Sequence, residues 1–408
     1  MVDLRAAQQL RRDREYDEAL VMYREAWDEK PDAGIAASII NCLRGLGRLA
    51  EAEEFYQQAI EACTVTPWLK TEHVWTLYAK YIKPIEVPTK DLFLQKAEEV
   101  MALTQDLLPR KLTAFKVTDV LAREPSPDWE AVRSWLERIQ DVEVERTTID
   151  PGKKLSDKRK WYFKYTKALA KLGEYELSRE YCRKARNIFK TAHFFSHRAA
   201  KCARARGDLA TAREEYEALI GVHDEWYVHA DLAELLFTLG QYAPAEQHAV
   251  TAILACRNMQ LKVRAFFLWA QILAHTDPPL AWLPLHFHIL FRQERGWPIG
   301  DEVLALAKEH PVPSGEQASG AAELEERVEA LARQRNAAED PKKRGFIKNL
   351  QEKFGFIHAE DGTDIFFSRG SCRGANLHPG GAVTFRVKRA YDRRKKRESL
   401  EAYDVEIA

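Results

Sequence analysis

The stretch Glu352–Ser368, "EKFGFIHAEDGTDIFFS", decides how the end of this chain is read. Two phenylalanine clusters stand about ten residues apart, at Phe354/Phe356 and Phe366/Phe367, on segments that otherwise alternate. A charged turn, "AEDG", separates them. Alternation with a period of two belongs to strands, so the pair reads as a β-hairpin with rings on its faces. The same period continues on both sides. "RGFIKNL" (344–350), "KFGFIHA" (353–359), "TDIFFS" (363–368), "AVTFRVKRA" (382–390) and "SLEAYDVEIA" (399–408) read as five short strands in about 65 residues, which predicts a small closed antiparallel barrel.

Upstream the period changes. Five stretches, at 13–32, 46–62, 172–188, 206–222 and 239–255, share one pattern. Each has a turn and then an aromatic residue or Leu: Tyr16, Leu49, Tyr175, Leu209 or Tyr242. Three residues later comes Ala19, Ala52, Ser178, Ala212 or Ala245, then Tyr23, Tyr56, Cys182, Tyr216 or Ala249, and then Ala26, Ala59, Ala185, Leu219 or Ala252. Steps of three and four keep these positions on one helix face, and small residues there let helices approach closely. Glycine ends the preceding helix in four units (Gly47, Gly173, Gly207, Gly240), where positive φ is needed; the first unit has Arg14 instead.

Composition sets the limits. The chain has 408 residues, 46% apolar and 30% charged, with zero formal net charge. Residues 342–408 carry 15 basic and 9 acidic side chains, net +6, and the remainder 47 and 53, net −6. A basic end on an acidic body signals a partner for that end. The six cysteines are scattered without a CxxC, which fits reduced thiols and a cytoplasmic protein. No stretch has the length and apolarity of a membrane span, and no secretory leader is read at the start. No P-loop, GxSxG, HExxH or paired-carboxylate constellation is found, so a non-catalytic protein without cofactor is expected. His286 and His288 stand two apart and do not share a helix face, so they read as one buried and one exposed side chain rather than a metal pair.

The body, with its period near 34 and two helices per unit, resembles the tetratricopeptide repeat family. The segments 67–83, 90–108 and 127–140 are helical but off the consensus, 144–160 is a polar, basic loop, and the apolar segments after the fifth unit read as an end cap. "HPVPSGEQASGAA" (310–322) reads as a linker, followed by a short charged helix with Leu324, Val328 and Leu331 on one face. The end of the chain resembles the cold-shock domain. "FGFI" (354–357) matches that family's first ribonucleoprotein motif, "DIFF" (364–367) the start of its second, and "LHPGGAVTFRV" (377–387) and "EAYDVEI" (401–407) its last strands. The expectation is multidomain: an all-α tetratricopeptide-like solenoid (1–310), a linker with a short helix (311–341) and a five-stranded OB barrel (342–408).

What the resemblance implies is binding of single-stranded RNA or DNA. Rings on an open barrel face stack on bases with little sequence demand. Phe354, Phe356 and Phe366 are the expected platform, with Lys348, Lys353 and Arg369 beside it. The family's lysine two residues before the first Phe is here Glu352, its first-strand tryptophan is absent at Asn349–Leu350, and its terminal His-Phe is Ser368–Arg369, where a planar guanidinium takes the place of a ring. "KRAYDRRKKRES" (388–399) adds Lys388, Arg389, Tyr391, Arg393, Arg394, Lys395, Lys396 and Arg397 as a phosphate clamp. The repeats imply a protein partner of unknown identity. Two functions stay open: an RNA-binding protein for RNA chaperoning or control of translation or decay, or an assembly scaffold that touches nucleic acid only to localise itself. Partner recovery with and without nuclease separates them.

Overall fold

The computed structural model describes residues 2–84, 89–139, 156–189, 192–339, 342–373, 377–392 and 397–407. They form two compact units, divided after Lys190.

Among its described residues the first unit is built from helices and short connections alone. Its helices are α1 (Leu4–Arg12), α2 (Tyr16–Glu29), α3 (Ala33–Gly45), α4 (Leu49–Ala62), α5 (Pro67–Leu77), α6 (Lys90–Leu103), α7 (Leu107–Leu121), α8 (Trp129–Glu137), α9 (Asp157–Lys171) and α10 (Tyr175–Ile188). A π turn, Tyr78–Ile82, extends α5. The second unit continues with α11 (His193–Ala205), α12 (Leu209–Val222), α13 (Trp226–Thr238), α14 (Tyr242–Ala255), α15 (Met259–Thr276), α16 (Trp282–Glu294), α17 (Asp301–Glu309) and α18 (Ala321–Glu339), and then a barrel.

The repeat pattern fixes the helices residue by residue. The second helix of all five units (α2, α4, α10, α12, α14) is 14 residues long and begins at the aromatic residue or Leu. The small positions Ala19, Ala52, Ser178, Ala212 and Ala245 are fully buried. Ser178 keeps its hydroxyl satisfied by donating to the Thr166 carbonyl oxygen of the preceding helix at 2.9 Å, which explains a polar residue in an alanine position. Each preceding helix ends in the same way: the amide after the turn residue donates back five residues, at 2.9 Å to Leu10 and to Leu43, and at 3.0 Å to Ala203. This closure puts the turn residue in the left-handed region, at φ 82° for Gly207 and φ 66° for Arg14.

Two features depart from expectation. Helix α7 has no clear apolar period in the sequence: it buries Lys111 completely, paired with Asp157 at 2.5 Å, and a lysine inside the core blurs the pattern. The short helix expected in the linker 311–341 is α18, 19 residues long, which packs on α14 and α16. Ala321, Leu324, Val328 and Ala332 form a continuous buried stripe in the second unit's main core, Leu331 packs at its margin, and Val312 and Ala318 join from the Pro/Gly-rich segment. Lys262 bonds Glu329 at 2.7 Å, and Arg335 pairs with Asp277. The segment therefore completes the helical core instead of spanning a gap, because four small or apolar residues at steps of three and four bury against two helices. Of the expected loop 144–160, residues 144–155 lie outside those described, and 156–160 open α9 with Ser156 as its cap. His288 is buried with Nδ1 2.9 Å from the Val263 carbonyl oxygen, while His286 is only partly covered. Among the described residues no helix is long and apolar enough to cross a membrane.

The barrel comprises β1 (Lys343–Leu350), β2 (Phe354–Ala359), β3 (Asp364–Ser368), the two-residue β4 (Cys372–Arg373), β5 (Ala382–Asp392) and β6 (Arg397–Ile407). β1 pairs antiparallel with both β2 and β5, β2 with β3, and β5 with β6. A short parallel pairing of β3 with β6 closes a five-stranded barrel, and β4 lies along the end of β6. Its core is Ile347, Ile357, Ile365, Phe367, Val383, Phe385, Ala402 and Val405.

Arg14 holds a left-handed conformation that costs an L-residue about 1–2 kcal/mol, part of which glycine's greater entropy loss cancels. Arg14→Gly is expected to raise stability by about 0.5–1 kcal/mol, read as a higher thermal midpoint, while Gly207→Arg lowers it.

Candidate nucleic-acid interface

Alternation on β2 sorts its side chains. Gly355, Ile357 and Ala359 point inward and are buried; Phe354, Phe356 and His358 point outward. Gly355 is demanded by packing: a Cβ there would lie 2.6 Å from both the Phe367 ring and the Asn349 carbonyl oxygen. Phe367 thus fills the barrel beneath Gly355, and the two flanking rings are left outside.

Register then assembles the outer face. Phe356 stands opposite Phe366 on β3 and opposite Asn349 on β1. Phe354 stands opposite Ser368. The ring centres of Phe354 and Phe366 are 5.7 Å apart, those of Phe356 and Phe366 5.8 Å, and those of Phe354 and Phe356 6.3 Å. These are the spacings of mutually supporting aromatic rings. Phe354 remains 39% exposed, and Phe356 and Phe366 are half-buried. The three rings that the sequence nominated therefore make one cluster on the outer face, and Phe367, Ile357, Ile365, Val383 and Phe385 belong to the core.

The polar residues frame it. A β-bulge between Ile347 and Asn349 leaves Lys348 without a cross-strand partner, and its ammonium bonds the Asp364 carboxylate. Asp364 also meets His358 Nδ1 at 2.7 Å; Lys348 first and His358 second hold this exposed carboxyl below its ordinary range. Lys353 is exposed in the β1–β2 turn, and its carbonyl oxygen accepts from the Arg369 N–H at 3.0 Å, which brings these two residues together beside Ser368. Arg393, Arg394, Lys395 and Lys396 lie outside the described residues, as do the side chains of Lys388, Arg389, Tyr391 and Arg397. The strands that carry this basic run, β5 and β6, pair through to Asp392 and Arg397.

Sequence reasoning missed the outer side of β1. Arg344 and Phe346 are exposed, and Phe346 stands opposite His358 with ring centres 5.2 Å apart. The signal was present in "RGFIK": Arg344, Phe346 and Lys348 occur at every second position.

The helical part of the second unit offers a different surface. The first helices α11, α13 and α15 share a groove of about 240 Å³ lined by His197, Lys201, Trp226, Tyr227, Arg264 and Leu261, among others. Its acids are already paired: Asp231 with His197 at 2.6 Å and Lys201 at 3.2 Å, and Glu234 with Arg204 at 2.9 Å and Arg264 at 2.8 Å. Burial pushes the Asp231 carboxyl up, but His197 and Lys201 outweigh it and hold it low. The body's net negative charge is therefore not concentrated in this groove. Tetratricopeptide-like pairs with a groove that sets Trp226, Tyr227, Leu261 and Leu268 beside paired charges suit a protein partner.

No protein-family description matches this chain, and no curated protein matches it. Among solved structures it is similar to the C-terminal part of a TPR repeat-containing protein from Cytophaga hutchinsonii, at 14% identity and TM-score 0.34, over 68% of this chain and 96% of that one. It is similar to a tetratricopeptide repeat protein from Parabacteroides merdae at 13% identity and TM-score 0.30, over 75% and 96% of the two chains. A chain in the structure of Naa15/Naa10 bound to HypK-THB matches at 12% identity and TM-score 0.44, over 82% and 50%. The repeat assignment rests on the five 14-residue helices themselves.

All 10 tryptophans precede residue 342, so tryptophan fluorescence follows the helices and not the barrel. Gly355→Ala overpacks the barrel against Phe367 and is expected to cost about 1–3 kcal/mol. Amide exchange of residues 343–407 should accelerate accordingly, with the tryptophan unfolding transition left in place.

Proposed function

We propose that the chain is a non-catalytic binding protein that holds single-stranded RNA, or single-stranded DNA, on the outer face of β1–β3, and a protein partner on its helical repeats. The observation that carries the first half is the cluster of Phe354, Phe356 and Phe366, packed ring on ring yet kept out of a core that Phe367 and Phe385 already fill. Rings held in this way present faces for bases to stack on. The pairing order, β1 joined to β2 and β5, and β3 to β6, fits the OB barrel of the cold-shock family, in line with the motifs at 354–357 and 364–367. The net charge of +6 over residues 342–408 favours a polyanion.

Asn349 sits beside Phe356, where the resembled family carries a tryptophan, so one base platform is replaced by an amide. Single strands are favoured over duplex, because inside a duplex both faces of each base are already covered by stacked neighbours. The groove of α11, α13 and α15 supports the second half, a protein partner with an apolar or aromatic anchor. A chain that joins the two would bring a bound protein to bound RNA, in RNA chaperoning or in control of translation or decay.

The test uses the full chain and a labelled oligouridine. Phe354→Ala, Phe356→Ala and Phe366→Ala should each weaken binding by about 1–3 kcal/mol and leave the melting curve nearly unchanged. Affinity should fall steeply as salt rises. Wild-type affinity in all three variants, or salt-independent binding, would sink the proposal.

A further inference from the structure

Beyond the three rings, the outer face continues onto β1. Arg344, Phe346 and Lys348 occupy every second position there, and all three are exposed. Phe346 is 46% exposed, more than Phe354. Its ring leans on His358, 5.2 Å away at 45°. His358 is itself fixed, because Nδ1 lies 2.7 Å from Asp364, which Lys348 also holds. Gly345 permits this arrangement: a Cβ there would come within 2.4 Å of the His358 carbonyl oxygen, so β1 approaches β2 closely at this level.

The face is therefore built in rows. One row runs Asn349–Phe356–Phe366, and the next runs Phe346–His358–Asp364. Two residues along a strand separate neighbouring rows by about 6.6 Å. The row that has Asn349 lacks a ring on β1, and the next row supplies one. An exposed Phe alone means little. An exposed Phe set against a fixed imidazole, between two cations, one row from an aromatic trio, has the composition of a stacking seat flanked by phosphate contacts.

We infer that Phe346 and His358 form an additional base seat, with Arg344 and Lys348 as its phosphate contacts, so that the bound single strand runs from Phe354 across Phe356 and Phe366 onto β1. The inference rests on the nucleic-acid reading of this face and says where the strand goes. The occupant is a further nucleotide of the same single strand, contacted through its base face and phosphate and not through its sequence.

The experiment is fluorescence anisotropy on the full chain with 5′-labelled oligouridines increasing one nucleotide at a time from three to ten. Phe346→Leu removes the ring and keeps apolar bulk on the surface; Phe346→Trp keeps a platform; Phe356→Leu is the control for the trio. Wild-type affinity should rise with length through the step that fills the Phe346 row. In Phe346→Leu that step should vanish, leaving binding about tenfold weaker at ten nucleotides, within the range for one lost stack, and unchanged at the shortest length that binds. Phe346→Trp should restore the step, which a purely structural role would not require. If Phe346→Leu follows wild type at every length while Phe356→Leu weakens binding, the extra seat does not exist although the trio binds. If wild type itself binds no oligouridine at any length, the seat and the reading beneath it fall together.

Discussion

The contact between Phe367 and Gly355 governs the surface of the barrel. Phe367 has no exposed area, and its ring occupies the place where a Cβ at position 355 would stand. With the inward position of β2 reduced to a hydrogen atom, the strand lies close over the core. Strand alternation then turns Phe354 and Phe356 outward. The register of β3 sets Phe366 opposite Phe356, and the register of β1 sets Phe346 opposite His358. One buried ring thus sets the inward side of β2, and strand register places the outer rings around it. The aromatic surface lies outside a core that Phe367, Phe385 and the aliphatic residues of all five strands already occupy.

The helical part obeys a similar economy of space. Alanine or serine at one position of each second helix is fully buried, and the residues one turn on, Tyr23, Tyr56, Cys182, Tyr216 and Ala249, fill the volume that remains. Only small residues at the closest approach permit a pair of helices to share that face. The same rule reappears in α18, where Ala321 and Ala332 flank Leu324 and Val328 against α14 and α16. Residues 321–332 are thus as much part of the helical core as the repeats, and a fragment ending near residue 310 would lose that stripe and uncover the surface of α14 and α16 beneath it.

Much of this was legible in the sequence, and the failures have physical causes. The five repeat units were readable because three buried positions recur at fixed steps beside a turn with positive φ. Strands β1, β2, β3, β5 and β6 were readable from alternation, and the aromatic trio from its motifs. Helix α7 was not singled out because Lys111 is buried through an ion pair with Asp157, a partner 46 positions away that no local pattern reveals. Helix α18 looks like a linker appendage in the sequence because its surface is densely charged and its buried stripe is half alanine, which leaves a weak apolar signal. A single Phe in a first strand looks like core; its alternation with Arg344 and Lys348 is the weak local sign of an outward side, and the register with His358 shows that side directly. The basic run at 388–397 follows from composition alone, and its four central residues lie outside the described structure.

On the proposed reading, a single strand lies on the ringed face of β1–β3 and not on the helical repeats. Photo-crosslinking measures this directly: the full chain is irradiated with an oligouridine that carries 4-thiouridine at successive positions, and the attached peptides are identified by mass spectrometry. Crosslinks should centre on Phe354, Phe356 and Phe366, in peptides spanning residues 344–369. Crosslinks confined to residues 4–339, or none at low salt, would contradict the account.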